Sequence, residues 1–279
     1  MTDSASAMRE AELTPEEVER ILRVCGTRAL LVGGQALAAW AVHYGIELVG
    51  EISRAVTTDA DFIGTSHVAQ ALQNALGPPW KLRTATLDDA GSQVAKVYAT
   101  LPTEGIKQVD FLSGIVGLDT KTVRSRASIL VTADGVEVRI LHPLDVLESR
   151  LRNLDALSAK RNAVGVAQAC LAVSVARAFI EQFMDESGDP RVARQAVKRV
   201  EKIALDTRLC RVAFAYDIDV LAAVPVDRIG YPRFHEQQWP RVRERLAQKR
   251  AKFEALQAKR DKLLAKRKLP SPPRRRSPI

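Results

Sequence analysis

Thr58-Asp59-Ala60-Asp61-Phe62-Ile63-Gly64 is flanked by Leu30-Leu31-Val32-Gly33-Gly34 before it and by Gln108-Val109-Asp110-Phe111-Leu112 after it. Side chains alternate faces along an extended strand, so Asp59 and Asp61 point one way while Ala60 and Phe62 point into a core on the other. Two carboxylates on one face repel unless a cation lies between them. Mg²⁺ suits the pair, being a hard ion that takes oxygen ligands, usually one or two carboxylates with substrate phosphates. Asp110 lies in a second apolar run, Ile106 to Leu112, and is placed to bring a third carboxylate from a neighbouring strand. A Gly-Gly pair that follows an apolar strand and opens a helix lets bare backbone N–H groups approach phosphate.

The ordered set is apolar strand, Gly-Gly, helix, D-x-D strand and a lone Asp in a later strand. It resembles the nucleotidyltransferase superfamily with the DNA polymerase β-like fold, and within it the AbiEii-type toxin and other minimal nucleotidyltransferases. Leu31-Val-Gly-Gly-Gln-Ala-Leu-Ala-Ala-Trp-Ala-Val-His-Tyr-Gly45 looks like the family's glycine motif and its helix, and Thr58-Asp-Ala-Asp-Phe62 like its metal motif. The likeness covers roughly the first half of the chain. It implies an enzyme that moves an NMP from an NTP to a hydroxyl acceptor such as tRNA or a protein. Two Mg²⁺ ions would be held by Asp59, Asp61 and Asp110, with Asp110 completing the ion that activates the acceptor or taking its proton. Gly33, Gly34, Gln35 and Arg150 would hold the nucleotide. It also implies a toxin role beside a cognate antitoxin protein. Three places depart from the family pattern. Gln35 stands where Ser or Thr is common, Ile46 to Ser53 reads as an insertion, and Arg150 falls where many members have Lys. A catalytically inactive nucleotide-binding or protein-interaction module on the same fold is the alternative. A metal-dependent hydrolase would need a positioned water or a histidine cluster, and His43, His67, His142 and His235 are dispersed.

The 279 residues are 46% hydrophobic but only 5% aromatic, so the core must rest on Leu, Val, Ala and Ile. Hydropathy predicts no membrane span and the polar N-terminus predicts no secretion signal. Cys25, Cys170 and Cys210 have neither metal spacing nor an even framework, so each is expected to be a small buried hydrophobe in a reducing cytoplasm. Of 42 basic and 33 acidic residues, 15 and 3 fall between Arg241 and Ile279. That segment carries +12, and the remainder, with 27 basic and 30 acidic residues, carries −3. A basic segment of this kind suits nucleic acid through counterion release.

In chain order, residues to Leu13 read as a frayed lead. Thr14-Pro15-Glu16-Glu17 is a capping box that opens a helix to Cys25. A strand from Arg28 to Val32 leads into a buried helix, Gln35 to Tyr44, on which His43 reads as packed or solvated rather than a ligand. The metal strand spans Thr57 to Gly64. A Ser66-capped helix runs to Leu76, two strands cover Gln93 to Leu101 and Ile106 to Leu112, and a hairpin joins Ala127–Thr132 to Val136–Leu141. The expected class is α+β, a mixed sheet with packed helices and then a helical C-terminal region. Four parts are expected: a nucleotidyltransferase catalytic domain over 1–142, a helical domain over 143–238, a basic helix over 239–268 and a disordered basic tail over 269–279. In the second part, helices are expected over Leu144–Leu157, Asn162–Met184, Pro190–Asp206 and Thr207–Phe214, followed by an apolar segment from Ile218 to Val226. On the first of these helices Arg150 and Arg152, and beyond it Lys160, could reach the triphosphate or an acceptor phosphate, and a solvated face explains them equally well. The basic helix carries Val242, Leu246, Phe253, Leu256 and Leu263 near heptad spacing, which fits either docking or a charged surface helix.

Overall fold

The structure, a computed structural model, describes residues 11–47, 59–86, 88–89, 91–102, 105–188 and 193–268. The capping box forms as expected. The Thr14 side chain accepts from the Glu17 N–H and Glu17 reaches back to the Thr14 N–H, and α1 runs Pro15–Cys25. The lead before it is not frayed where it is described. Ala11 and Leu13 are buried, and the Ala11 N–H donates to the Ile106 carbonyl at 2.9 Å. Strand β1, Leu30–Val32, is short and wholly buried and passes directly into α2, Gly33–His43. Most of the insertion and the start of the metal strand lie outside the described residues, which resume at β2, Asp59–Ile63. Helix α3, Ser66–Leu76, has Thr65 rather than Ser66 at its N-cap, and Thr65 makes no capping hydrogen bond.

Among the described residues, seven strands form one mixed sheet in the order β3-β4-β5-β2-β1-β7-β6. The remaining strands are β3 (Lys81–Thr84), β4 (Gln93–Leu101), β5 (Gly105–Leu112), β6 (Ser128–Val131) and β7 (Glu137–Ile140). The β2–β5 and β1–β7 pairs are parallel and the other neighbours antiparallel. Sequence reading did not expect β3, whose Lys-Leu-Arg-Thr has a single apolar residue, nor the short helix α4, Thr120–Arg126, capped by Asp119. One face of the central strands is fully buried. Ala95, Val97, Ala99, Val109 and Phe111 are at most 1% exposed, and Phe62 stacks on Phe111.

From Pro143 the chain is helical: α5 (Pro143–Ala156), α6 (Ala163–Ser187), α7 (Arg194–Leu205), α8 (Thr207–Ala215) and α9 (Trp239–Lys268). The Ile218–Val226 segment contains the short 3₁₀ turn Val220–Ala223, and a second such turn, Val226–Arg228, starts at its end. One continuous apolar core runs from Leu13 to Val242, so sheet and helices share it. Helix α6 is long and apolar enough to cross a membrane by length and composition alone. Half of its most apolar window is nevertheless buried within the fold, where Leu171, Val175 and Ile180 join the core. Cys25 and Cys210 are buried, but Cys170 is exposed. The first part of α9 docks. Val242 is buried, Phe253 meets Phe214 with ring centroids 5.8 Å apart, and the Arg250 guanidinium lies 5.7 Å from the Phe214 ring centre. Leu256 and Leu263, further along the expected stripe, are more than half exposed.

Candidate active site

Register builds the site. Parallel pairing of β2 and β5 sets Asp61 directly against Asp110 and Asp59 against Gln108. Antiparallel pairing of β1 and β2 sets Val32, the residue before the glycines, against Asp61. The three carboxylates therefore share the sheet face opposite the buried Ala60, Phe62 and Phe111. Gly33 has φ +72°, a left-handed conformation open to glycine at little cost, and a Cβ there would fall inside the van der Waals envelope of Asp61 Oδ2. The glycine is thus required both by the turn from β1 into α2 and by the carboxylate lying over it. Gly34 belongs to the first turn of α2, where helix N–H groups lack intrahelical acceptors.

Electrostatics follow from this crowding. Burial first, then repulsion from Asp59 and Asp110, push the Asp61 carboxyl up to about 6, against the attraction of Arg150 and Lys160. Asp110 is also raised, chiefly by burial. It accepts a hydrogen bond from Gln93 Nε2 at 2.6 Å, and Lys96 Nζ lies 3.5 Å from the same oxygen and 2.9 Å from Gln108 Oε1.

Arg150 on α5 is 7% exposed. Its Nη1 donates to Gln168 Oε1 at 3.3 Å, while its Nε is buried with no hydrogen-bond partner. Burial lowers its pKa, and Asp61 and then Asp59 hold it up. A buried guanidinium with an unused donor, in the field of two carboxylates, is not a solvated helix face. Lys160, in the 3₁₀ turn Ser158–Lys160, acts on Asp61 from the exposed side. Gly165 fixes that turn against α6, since a Cβ on it would collide with the Lys160 carbonyl oxygen. Arg152 is turned away and pairs with Glu148 at 2.6 Å.

Gln35 is not on the carboxylate side. It lines a cavity of about 500 Å³ with Leu22, Ala38, Ala60 and Phe62, behind the sheet. His43 is exposed, lines the same cavity and meets the Trp40 and Tyr44 rings. Sequence reading missed Gln93, Lys96 and Gln168. The alternation of β4 carried a signal for Lys96, a charge in phase with Tyr98 opposite the apolar set Ala95, Val97 and Ala99.

Among the described residues no three of His, Cys, Asp and Glu gather closely enough to form a closed metal cage. Asp59 and Asp61 supply two oxygen donors on one strand face, with the Asp61 charge raised in cost by its like-charged neighbours. That donor set fits Mg²⁺, which keeps most of its waters and needs only one or two carboxylates.

The sequence matches no protein-family model and no curated protein. Among solved structures the chain is similar to a proposed nucleotidyltransferase from H. pylori at 14% identity, with TM-score 0.37, over 88% of this chain and 99% of that one. It is also similar to the JHP933 protein of Helicobacter pylori at 13% identity, with TM-score 0.33, over 90% and 99%. The fold is α+β, a mixed seven-stranded sheet among the described residues followed by helices.

Proposed function

We propose that the protein is a nucleotidyltransferase that moves an NMP from an NTP to a hydroxyl acceptor. The observation that carries this reading is the in-register Asp61–Asp110 pair, with Asp59 on the same face, between the Gly33 helix start and the buried Arg150. Asp59 and Asp61 would hold Mg²⁺, and Asp110, in register with Asp61, would take the acceptor proton. The ions supply electrostatic stabilisation of the attacking and leaving oxygens of an in-line displacement.

The chain's own residues supply the rest. The Gly33 and Gly34 amides and the α2 N-terminus accept the negative triphosphate without a side chain in the way. Arg150 adds a buried positive charge in the field of Asp61 and Asp59. Lys160, exposed, adds a second positive charge in the field of Asp61. The acceptor hydroxyl oxygen bonds to the α-phosphorus, the bond from that phosphorus to pyrophosphate breaks, and the hydroxyl proton passes to Asp110. The three unpaired cysteines fit a reducing cytoplasm.

The basic segment from Arg241 onward suits a polyanionic acceptor such as tRNA. A toxin role held in check by an antitoxin would appear as growth arrest on expression that Asp61→Asn relieves. One observation favours a second reading. Gln93 and Lys96 already satisfy Asp110, as they would in a module that binds nucleotide without transferring it. Incubation with each labelled NTP and Mg²⁺, with and without total tRNA, separates the two. Label that becomes covalently attached supports transfer, and bound but unreacted nucleotide supports the module.

A further inference from the structure

The register that pairs Asp61 with Asp110 continues to the edge of the sheet. Asp59 faces Gln108, Gln108 faces Tyr98 and Tyr98 faces Lys81. In the next row Asp61 faces Asp110, Asp110 faces Lys96 and Lys96 faces Arg83. All eight side chains are on one face. Strands lie about 4.8 Å apart, so each row reaches about 14 Å from its β2 carboxylate to β3. The opposite face is buried on β2, β5 and β4 and only half-buried at Leu82 of β3, whereas Lys81 and Arg83 are exposed and Gln108, Tyr98 and Lys96 are half-buried. The outer half of the face thus carries an aromatic ring among three cations. Arg83 pairs with Asp89 at 2.5 Å, while Lys81 has no ion pair among the described residues.

We infer that this face is the platform on which the acceptor lies, and that the acceptor is the single-stranded end of a polynucleotide. The inference rests on the nucleotidyltransferase reading of the carboxylates. Two chemical features select the partner. Lys81 and Arg83, on the exposed outer strand, are complementary to a polyanion, and Tyr98 offers a flat ring to an unstacked base, which a duplex does not present. A protein or small-molecule acceptor gives no reason for a ring flanked by lysines at this place. The terminal hydroxyl meets the α-phosphorus beside Asp110, the last base lies on Tyr98, and the phosphates behind it run towards Lys81. On transfer the terminal O–H gives its proton to Asp110, the O–P bond forms and pyrophosphate leaves.

The test uses the full chain and a short labelled RNA with a free 3′ hydroxyl, offered as a single strand and annealed to its complement. Fluorescence anisotropy gives the affinity of wild type, Tyr98→Ala, Tyr98→Phe and Lys81→Ala, and melting curves establish that each is folded. Tyr98→Ala should weaken single-strand binding about tenfold, as loss of one base–aromatic stack does, and leave duplex binding unchanged. Tyr98→Phe should bind like wild type, and Lys81→Ala should flatten the salt dependence by about 0.7 in log–log slope. Folded Tyr98→Ala and Lys81→Ala proteins with wild-type single-strand affinity overturn the platform. Transfer of label from NTP is scored on the same wild-type sample. Tyr98-dependent binding without transfer upholds the surface and sinks the enzyme reading. Transfer to protein, with RNA binding indifferent to Tyr98, does the reverse.

Discussion

Replacing Asp61 with Asn should stabilise the metal-free protein. In the fold this carboxyl sits at about 6, against its usual 3.8, because it is buried beside Asp59 and Asp110. One pKa unit corresponds to about 1.4 kcal/mol, so ionising Asp61 costs the folded state about 3 kcal/mol more than the unfolded one. The attraction of Arg150 and Lys160 is already within that balance. Because the folded pKa is the higher one, the group's favourable contribution is fully present below about pH 3.8. It is lost as pH rises through about 6. Asparagine keeps the volume and has no charge to bury, so Asp61→Asn should gain about 3 kcal/mol at pH 7.5 and nothing near pH 4. For a protein of this size that is roughly 5–10 °C in melting temperature. The assay is thermal unfolding of both proteins in chelator at several pH values, repeated with Mg²⁺. A cation held by Asp61 at a hundred times its Kd would return about 2.7 kcal/mol to wild type and little to the variant, closing the gap. An Asp61→Asn protein no more stable than wild type in chelator at pH 7.5, or a gap that does not change with pH, would refute the crowded-carboxylate argument.

Three further outcomes are expected. Gly33→Ala should cost about 1–2 kcal/mol for the left-handed backbone alone, and should abolish NTP binding by displacing Asp61, read by melting and by nucleotide titration. His142 accepts the Leu144 N–H through Nδ1 at 3.1 Å, and burial with nearby Arg199 lowers its pKa to about 4. The folded state resists its protonation, so stability should fall by about 3 kcal/mol as pH drops from 6.5 to 4, and His142→Asn, which keeps a cap, should remove most of that fall in acid melts. Deleting residues 257–279 removes nine Lys/Arg and one Asp but leaves Val242, Arg250 and Phe253 docked, so melting should hold while RNA affinity and its salt slope drop. Deletion from Arg241 should lower the melting temperature as well.

The carboxylate strands were legible because acidic and apolar residues alternate in them over a core that needs the apolar half. The capping box at Thr14 was legible because it is chemistry within four residues. Long-range register was not. Nothing local in Lys96 says that it will face Asp110, because that pairing depends on where the turn after Leu101 places β5. Strand β3 escaped because three of its four residues are exposed and Leu82 alone is apolar, too little to show a period. Arg150 looked like one of several charges on a helix, and its burial and its hydrogen bond to Gln168 of α6 come from tertiary packing. Asp145 was hidden similarly. A carboxylate in the first turn after His142-Pro143 is ordinary dipole chemistry. Here it is fully buried between Arg126, at 2.6 Å, and Arg199, which arrive from other elements.

Transfer of a nucleotidyl group at Asp59, Asp61 and Asp110 differs from simple binding or hydrolysis of the triphosphate in where each phosphate ends. The direct measurement follows two labels in parallel, one on the α-phosphate and one on the γ-phosphate of the NTP, with Mg²⁺ and a single-stranded RNA acceptor. Transfer predicts the α-label covalently in the acceptor and the γ-label released as pyrophosphate, with both signals lost in Asp59→Asn and Asp61→Asn. Release of γ-label as inorganic phosphate with no α-label in any acceptor, or full α-label transfer by either variant, would contradict it.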